Sequence, residues 1–125
     1  MRSSMGILCG ALLYAVLQAV FYTVSGYDPH RPTGASFVAL AIACGACISL
    51  VAGFAAGWIA GQSPFGHAFA VAFIIAAGAV ISLIARPSGG ALWPQIASIL
   101  LFAPLILLGG YLRGRITARG TRRTD

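Results

Sequence analysis

Four long apolar runs, separated by short polar stretches, dominate the chain. They cover about residues 5–24, 35–60, 64–85 and 92–112, and each reaches the roughly 20 residues that a helix needs to cross a bilayer. Polar and apolar residues do not alternate within the runs, as they would in the strands of a membrane barrel. The pattern therefore predicts an all-α, polytopic membrane protein in which residues 1–125 form a single four-transmembrane-helix bundle.

Several residues mark where these helices begin or bend. Ser63-Pro64 is typical of an N-cap followed by the first residue of a helix, and Trp93-Pro94 marks the start of the fourth helix in the same way. Pro104 lacks a backbone N–H and predicts a kink inside the fourth helix. The first run is longer than the roughly 7 to 15 residues of a signal-peptide core, so we expect it to be a retained helix.

The eight arginines are distributed unevenly, and this predicts an orientation. With four spans, Arg2 and five arginines of the tail 113–125 lie on one side, and Arg31 and Arg86 lie on the other. Since the more basic side normally faces the cytoplasm, six against two predicts cytoplasmic N- and C-termini. Arginine is used to the exclusion of lysine, which is typical of GC-rich bacterial genomes and favours the bacterial cytoplasmic (inner) membrane.

The net charge of +6 predicts a lipid partner rather than a nucleic acid, because most of it lies in the tail beside a hydrophobic segment. A basic tail next to a membrane attracts anionic lipid at roughly 1 kcal/mol per arginine. The residues expected to contact lipid headgroups are Arg113, Arg115, Arg119, Arg122 and Arg123. No nucleic-acid partner is expected.

Two loops share a short motif. Arg31-Pro32-Thr33-Gly34 and Arg86-Pro87-Ser88-Gly89 lie 55 residues apart, each just before an even-numbered helix. One interpretation is that the chain consists of two hairpins in parallel repeat. The other is that these are two independent turns of similar composition.

Small residues recur along the second run at strict four-residue spacing: Gly45, Ser49, Gly53, Gly57 and Gly61. This spacing keeps them near one face of a helix, and small residues let helix backbones approach closely in lipid. We expect the first run to offer a complementary ridge of Ala11, Ala15 and Ala19. The glycine groove seats either a helix of the same chain or a helix of a second copy or partner protein, and lining a conduction path is the third alternative.

Residues that carry catalysis or hold cofactors are scarce. The chain has two carboxylates, both aspartate, which excludes paired-carboxylate chemistry by count. Cys44-x-x-Cys47 supplies two of the four soft ligands of a structural metal site, and its simplest interpretation is small apolar packing. His30 and His67 are predicted on opposite sides of the membrane, too far apart to share a haem iron. We therefore expect no cofactor, no metal and no catalytic residues.

Polar side chains inside the runs predict a candidate pocket. They are Tyr14, Gln18 and Tyr22 of the first run, and Ser82, Gln95 and Ser98 in the outer halves of the third and fourth. Because an unsatisfied polar group is costly in lipid, these side chains should face protein or a cavity. They either line a shallow pocket, open to the outside, for a neutral or amphipathic ligand, or form hydrogen bonds between helices.

These observations favour a non-catalytic small membrane protein, an accessory subunit or helix-packing partner of a membrane complex. Its expected partners are the lipid bilayer and either a second copy of the chain or another membrane protein. The alternative is a small uncoupled transporter or channel for a neutral or lipophilic solute, built around Tyr14, Gln18 and Tyr22. A surface enzyme that uses Asp28 and His30 is the least favoured hypothesis.

Overall fold

A computed structural model of the chain describes residues 2–28, 33–85 and 91–121. Across these ranges the protein is helical, with no strand. Four helical segments are long and apolar enough to cross a membrane. The sequence prediction of an all-α protein with four candidate membrane spans is therefore confirmed. The repeated loop motif falls mostly on residues 29–32 and 86–90, outside the described residues.

The first three helices are α1 (Arg2–Ser25), α2 (Ala35–Ala60) and α3 (Pro64–Ala85). The fourth span is continuous from Trp93 to Thr121. It consists of α4 (Trp93–Ala97), a π-helical segment (Ser98–Phe102) and α5 (Ala103–Thr121).

The fourth span continues through much of the basic tail instead of ending near residue 112. Its 29 residues correspond to about 43 Å of helix at 1.5 Å per residue, against about 30 Å of bilayer core. The tail segment is therefore a helical extension of the span as far as Thr121. The length of the apolar run did not predict this extension, because residues 113–121 lack the apolar character that defined the run.

Helix α2 packs against all three other spans, and small residues make this close approach possible. A Cβ built on Gly53 would meet the carbonyl of Ile106, and one built on Gly45 would meet the Phe102 ring. From the opposite side, a Cβ on Gly109 would meet the Leu50 carbonyl. The predicted groove is thus occupied, along this length, by the fourth span of the same chain.

The remaining members of the groove have different surroundings. Ser49 is fully buried and donates a hydrogen bond of 2.6 Å to the Gly45 carbonyl. A Cβ on Gly57 would come within 2.9 Å of Pro64 at the start of α3. Gly61 lies beyond the groove, where its φ of 72° ends α2.

Helix α1 packs on α2 through a face that differs from the expected alanine ridge. Its buried residues are Gly6, Gly10 and Tyr14, whereas Ala15 and Ala19 are exposed. A Cβ on Gly6 would lie 2.9 Å from the Ala56 carbonyl, and one on Gly10 would lie 2.8 Å from the Ala56 Cβ. The prediction of an Ala11–Ala15–Ala19 ridge is wrong because glycine lets the α2 backbone approach more closely than alanine does.

A short turn, Gly61-Gln62-Ser63, connects α2 to α3. Ser63 immediately precedes the helix, as expected, but its φ of 48° is left-handed rather than the extended value of an ordinary N-cap. Its carbonyl accepts the backbone N–H of His67 at 3.3 Å. The turn is therefore closed by backbone hydrogen bonding and by two residues with positive φ.

The irregularity that Pro104 predicts takes the form of the π-helical segment just before it. The N–H of Ala103 donates to the carbonyl of Ser98, five residues back. Proline can neither donate to the carbonyl four residues earlier nor tolerate it close to its ring. The wider π-helical turn moves the Pro104 ring away from the carbonyl four residues earlier. It also determines which way α4 faces relative to α5.

Candidate functional site: a cleft between three spans

A cleft of about 590 Å³ lies between α1, α3 and the beginning of the fourth span. Its volume falls within the roughly 300–1,000 Å³ of ordinary small-molecule sites. Four of the six polar residues selected from the sequence line it, namely Tyr14, Ser82, Gln95 and Ser98. The other lining residues that the structure describes are apolar, and none of the described lining residues carries a charge.

The polar end of the cleft is built around Gln95, whose side chain is 4% exposed. Its amide lies 3.3 Å from the Ser82 hydroxyl. We assign the amide oxygen to the Ser82 side, because the amide nitrogen can then donate to the carbonyls of Ala91 and Leu92, both at 3.2 Å. The Leu92 carbonyl also accepts the backbone N–H of Ile96 at 3.2 Å. Through Ser82, Gln95 links this start of the fourth span to α3.

A second hydrogen-bonded group lies around Tyr14. Gln18 donates to the Tyr14 hydroxyl at 3.3 Å, one helical turn along α1. Ser98 of the fourth span lines the same cleft as Tyr14, and its hydroxyl donates to the Pro94 carbonyl at 2.7 Å. Gln18 therefore supports the cleft from outside its lining, through Tyr14.

Tyr22 does not line the cleft. It lies two turns further along α1 than Tyr14, and its ring packs edge-to-face on Phe21 with centroids 5.4 Å apart. Phe21 in turn stacks on Phe37 at 6.0 Å, and Tyr27 also stacks on Phe37, at 3.9 Å. Tyr22 thus belongs with the aromatic residues that hold the ends of α1 and α2 together.

The open side of the cleft is apolar and runs along the middle of α1 and α3. Leu8 and Leu12 on α1 are 60% and 61% exposed, and Ile74 on α3 is 46% exposed. A Cβ on Gly78, which also lines the cleft, would meet nothing within 4 Å. The sequence predicted a pocket opening at the outer surface, whereas this cleft opens sideways, at the depth where lipid chains lie if the helices span a bilayer.

The apolar wall was not recognised from the sequence. Leucine and isoleucine in a membrane span face lipid or protein without any distinguishing pattern. Gly78 offers the one available signal, since it is a glycine with no other glycine four residues before or after it on α3.

The arginines of the tail lie on the final turns of the fourth span. Arg113 is placed over the Phe54 ring of α2, 5.9 Å from its centroid. Arg115 donates to the Tyr111 hydroxyl at 2.8 Å and borders a groove of about 430 Å³ beside the start of α3. Arg119 is exposed. Arg122 and Arg123 lie outside the described residues.

Other reactive side chains are dispersed. Cys44 is half-buried and Cys47 is exposed on α2. His67 places Nδ1 2.9 Å from the Ser63 carbonyl, and Asp28 is exposed, whereas His30 lies outside the described residues. Within residues 2–28, 33–85 and 91–121, no group of three or more His, Cys, Asp or Glu is placed to hold a metal.

These features define a class: a multi-pass protein, helical over the described residues, with four segments fit to span a membrane and a cleft between three of them whose described lining residues are uncharged. Comparison with protein-family models, with curated proteins and with solved structures gives no match.

Proposed function

We propose that the protein binds a neutral, lipophilic molecule that enters the cleft sideways from the bilayer. The observation that carries this proposal is the cleft itself, with apolar walls, an open apolar side and an uncharged polar end. Such a site suits a small uncoupled transporter or carrier for a lipophilic solute, because the polar end positions a head group while the walls hold a chain.

The described residues that line the cleft are uncharged, and this favours a neutral ligand. A charged group that left water would find no opposite charge among these residues, and the cost of burying it would be several kcal/mol. Hydroxyl and amide groups, in contrast, position a neutral head group through individual hydrogen bonds.

Filling the cleft tests the proposal. Gly78→Leu introduces a side chain where a Cβ meets no other atom, so the protein should fold while the cleft loses volume. Native mass spectrometry from mild detergent should find a small lipophilic molecule on the wild-type protein. We expect at least a five-fold lower occupancy in Gly78→Leu.

Gly114→Leu is the matched control, since a Cβ on Gly114 also meets nothing within 4 Å but the residue lies outside the cleft. It should bind like wild type. Equal occupancy in both variants, or a wild-type protein that carries nothing from its native membrane, would refute the proposal.

A second candidate function is that of an accessory subunit, and a specific surface favours it. The occupied glycine groove is not free for a partner along α2, but α1 has an outward-facing groove of about 330 Å³ lined by Val16, Ala19, Val20, Thr23 and Val24. Ala19 and Thr23 are small and exposed, and such surfaces accept a neighbouring helix in lipid. A second copy or another membrane protein would dock here.

The complex mass in mild detergent tests this second candidate. Ala19→Leu should reduce the mass of the complex if α1 is the interface. Ala43→Leu, an equally exposed alanine on α2, should leave the mass unchanged. A monomeric wild-type protein that co-purifies with nothing would contradict it.

We also propose that both termini are cytoplasmic and that the protein resides in a bacterial inner membrane, with its tail arginines on anionic lipid. The six-to-two distribution of arginines supports this orientation. The helical extension supports the lipid contact, because it holds Arg113 and Arg115 at the end of the bundle, where headgroups would lie.

A further inference from the structure

A second groove, which shares no lining residue with the cleft, lies where α3 begins and the fourth span becomes basic. It has a volume of about 430 Å³. Gly110 allows the helices to pack closely behind it, since a Cβ there would meet the Ala68 Cβ and would lie 3.0 Å from the Pro64 carbonyl. One turn further along α5, a Cβ on Gly114 would meet nothing within 4 Å, so the space beside α5 is open at that level.

Arg115 is the one charged side chain among the described residues that line this groove. Its Nε donates to the Tyr111 hydroxyl at 2.8 Å, and its guanidinium carbon lies 5.4 Å from the centroid of the Tyr111 ring. These contacts hold the guanidinium at the groove, and the bond to Tyr111 uses Nε rather than the two terminal nitrogens. A planar pair of terminal N–H donors matches two oxygens of a phosphate.

The positive charge of Arg115 has no carboxylate beside it in the part of the chain that the structure describes. The chain has two carboxylates. Asp28 follows the end of α1, at the opposite end of the bundle, and Asp125 lies outside the described residues. Charge complementarity with the described part of the groove therefore favours an anionic ligand.

An apolar surface leads from the groove along α3. Phe65 lines the groove, and Phe69 and Phe73 follow it at four-residue spacing, which places all three near one face of the helix. They are 52%, 56% and 67% exposed. If α3 crosses a bilayer, Phe73 lies about 12 Å deeper than Phe65. A ligand that joins a phosphate to a hydrocarbon chain would contact both the guanidinium and this surface.

We propose that the groove binds one anionic phospholipid, with its phosphate on the Arg115 guanidinium and an acyl chain along the exposed phenylalanines of α3. The inference rests on the proposed contact between the tail arginines and anionic lipid, and it replaces a diffuse attraction with a defined site. Diffuse attraction depends on the number of charges, so each tail arginine would contribute alike. A site depends on which arginine is present and on the geometry of its donors.

Native mass spectrometry of the full chain in mild detergent tests the site, with phosphatidylglycerol and phosphatidylcholine of the same acyl chains as probes. We expect the protein to bind one phosphatidylglycerol more tightly than it binds phosphatidylcholine. Arg115→Gln should weaken this binding about 10-fold or more, the factor that corresponds to hydrogen bonds with charged groups. Arg119→Gln is the matched control, because it removes the same charge one turn further along α5, at an exposed residue outside the groove lining. It should change the affinity by less than about two-fold, since solvent screens an exposed charge.

Three further variants separate the site from a charge effect and from the cleft. Arg115→Lys keeps the charge but lacks the planar pair of donors, so it should not restore the affinity of the wild-type protein. Gly114→Leu fills the groove and should lose the phospholipid while it keeps the neutral molecule in the cleft. Gly78→Leu should do the reverse.

The outcomes distinguish the proposals. Equal effects of Arg115→Gln and Arg119→Gln overturn the site and leave the diffuse attraction standing, whereas equal binding of the two phospholipids by the wild-type protein overturns both. Wild-type affinity in Arg115→Lys overturns the role of the paired donors. Glycerophosphoglycerol is the same head group without acyl chains, and competition by it as strong as that by phosphatidylglycerol overturns the lipid assignment in favour of a soluble phosphate. The neutral molecule in the cleft is tested separately, by Gly78→Leu.

Discussion

At several positions in this bundle the choice between glycine and alanine decides whether two helices can pack. At Gly53 the added methyl group would meet the Ile106 carbonyl, which belongs to a rigid helix backbone and cannot move away as a side chain can. At Gly78 the same methyl group would meet open space. Gly53 belongs to the stripe of small residues on α2 and Gly78 has no glycine at four-residue spacing, but only the structure shows what lies opposite each of them.

We therefore expect Gly53→Ala to destabilise the protein by about 1–3 kcal/mol, the usual cost of overpacking. Gly78→Ala should be neutral or slightly stabilising, since alanine favours helix by about 1 kcal/mol over glycine. Unfolding in mixed detergent with increasing dodecyl sulfate measures both. Equal stability of the two variants would show that the fourth span does not pack on α2 at Gly53.

The hydrogen bond between Gln18 and Tyr14 provides a second prediction for a single residue. Its hydroxyl accepts from Gln18 inside a membrane span, so Tyr14→Phe leaves that amide without this acceptor. Interhelical and intramembrane hydrogen bonds average about 0.6 kcal/mol and reach about 1.7, and we expect a loss of stability in that range.

Tyr22→Phe is the comparison for Tyr14→Phe, because phenylalanine preserves the edge-to-face contact of Tyr22 with Phe21. Detergent unfolding of both variants provides the measurement. If Tyr22→Phe lowers the free energy of unfolding as much as Tyr14→Phe does, the hydrogen bond from Gln18 makes no specific contribution to stability.

At the scale of elements, the π-helical segment determines how the cleft is assembled. It carries one more residue per turn than an α-helix would, so the residues before it are rotated relative to α5. Gln95 and Ser98 face the cleft in that register, while Phe102 and Ile106 remain packed in the core. Without the wider turn, Gln95 and Ser98 could not face the cleft while Phe102 and Ile106 pack in the core.

Deletion of Leu100, which is 72% exposed within the π-helical segment, should restore an α-helical register. We expect Gln95 and Ser98 to turn by about 100°, with loss of the Gln95–Ser82 hydrogen bond and of the lipophilic molecule detected by native mass spectrometry. Helical content by circular dichroism should stay unchanged.

Deletion of the exposed Ile116, which lies far down α5, is the control because it preserves the register of the cleft. Wild-type occupancy of the cleft by the lipophilic molecule after deletion of Leu100 would show that the π-helical segment has no part in building the site.

At the scale of the whole molecule, orientation depends on charges outside the apolar spans. Replacing the five tail arginines with glutamine leaves Arg2 on one side and Arg31 and Arg86 on the other. The excess of positive charge on the side of the termini then disappears, and the positive-inside rule no longer favours that orientation.

We expect the substituted chain to insert in mixed orientations. A green fluorescent protein fused to the C-terminus folds in the bacterial cytoplasm and reports the cytoplasmic fraction, so its fluorescence per molecule should fall. The same substitutions with lysine instead of glutamine should preserve it. Unchanged fluorescence in the glutamine variant would show that the tail does not control orientation.

Much of the architecture could be read from local pattern. Apolar run length predicted four helices, and the bounds of α2 and α3 agree with the predicted 35–60 and 64–85. Four-residue spacing also identified the small face of α2. Both succeed because hydropathy and helical period are properties of consecutive residues.

The cleft could be recognised only from the tertiary structure. Its polar residues were chosen from the sequence by cost of burial alone, and the structure brings together Tyr14, Ser82, Gln95 and Ser98 but leaves Tyr22 elsewhere. Facing directions on three helices depend on their mutual rotation, which the π-helical segment and the approach at Gly6 and Gly10 set. Those are consequences of packing between distant parts of the chain.

There is a physical reason why the sequence predicts the helices but not the cleft. The cost of exposing polar backbone to lipid and the length of the apolar runs require four helices whatever their neighbours are. Which face of each helix is covered depends on small differences in how closely backbones approach, and it emerges only when all four are packed together. The same packing decides that the glycine groove is filled by the chain's own fourth span and that a cleft remains open between α1 and α3.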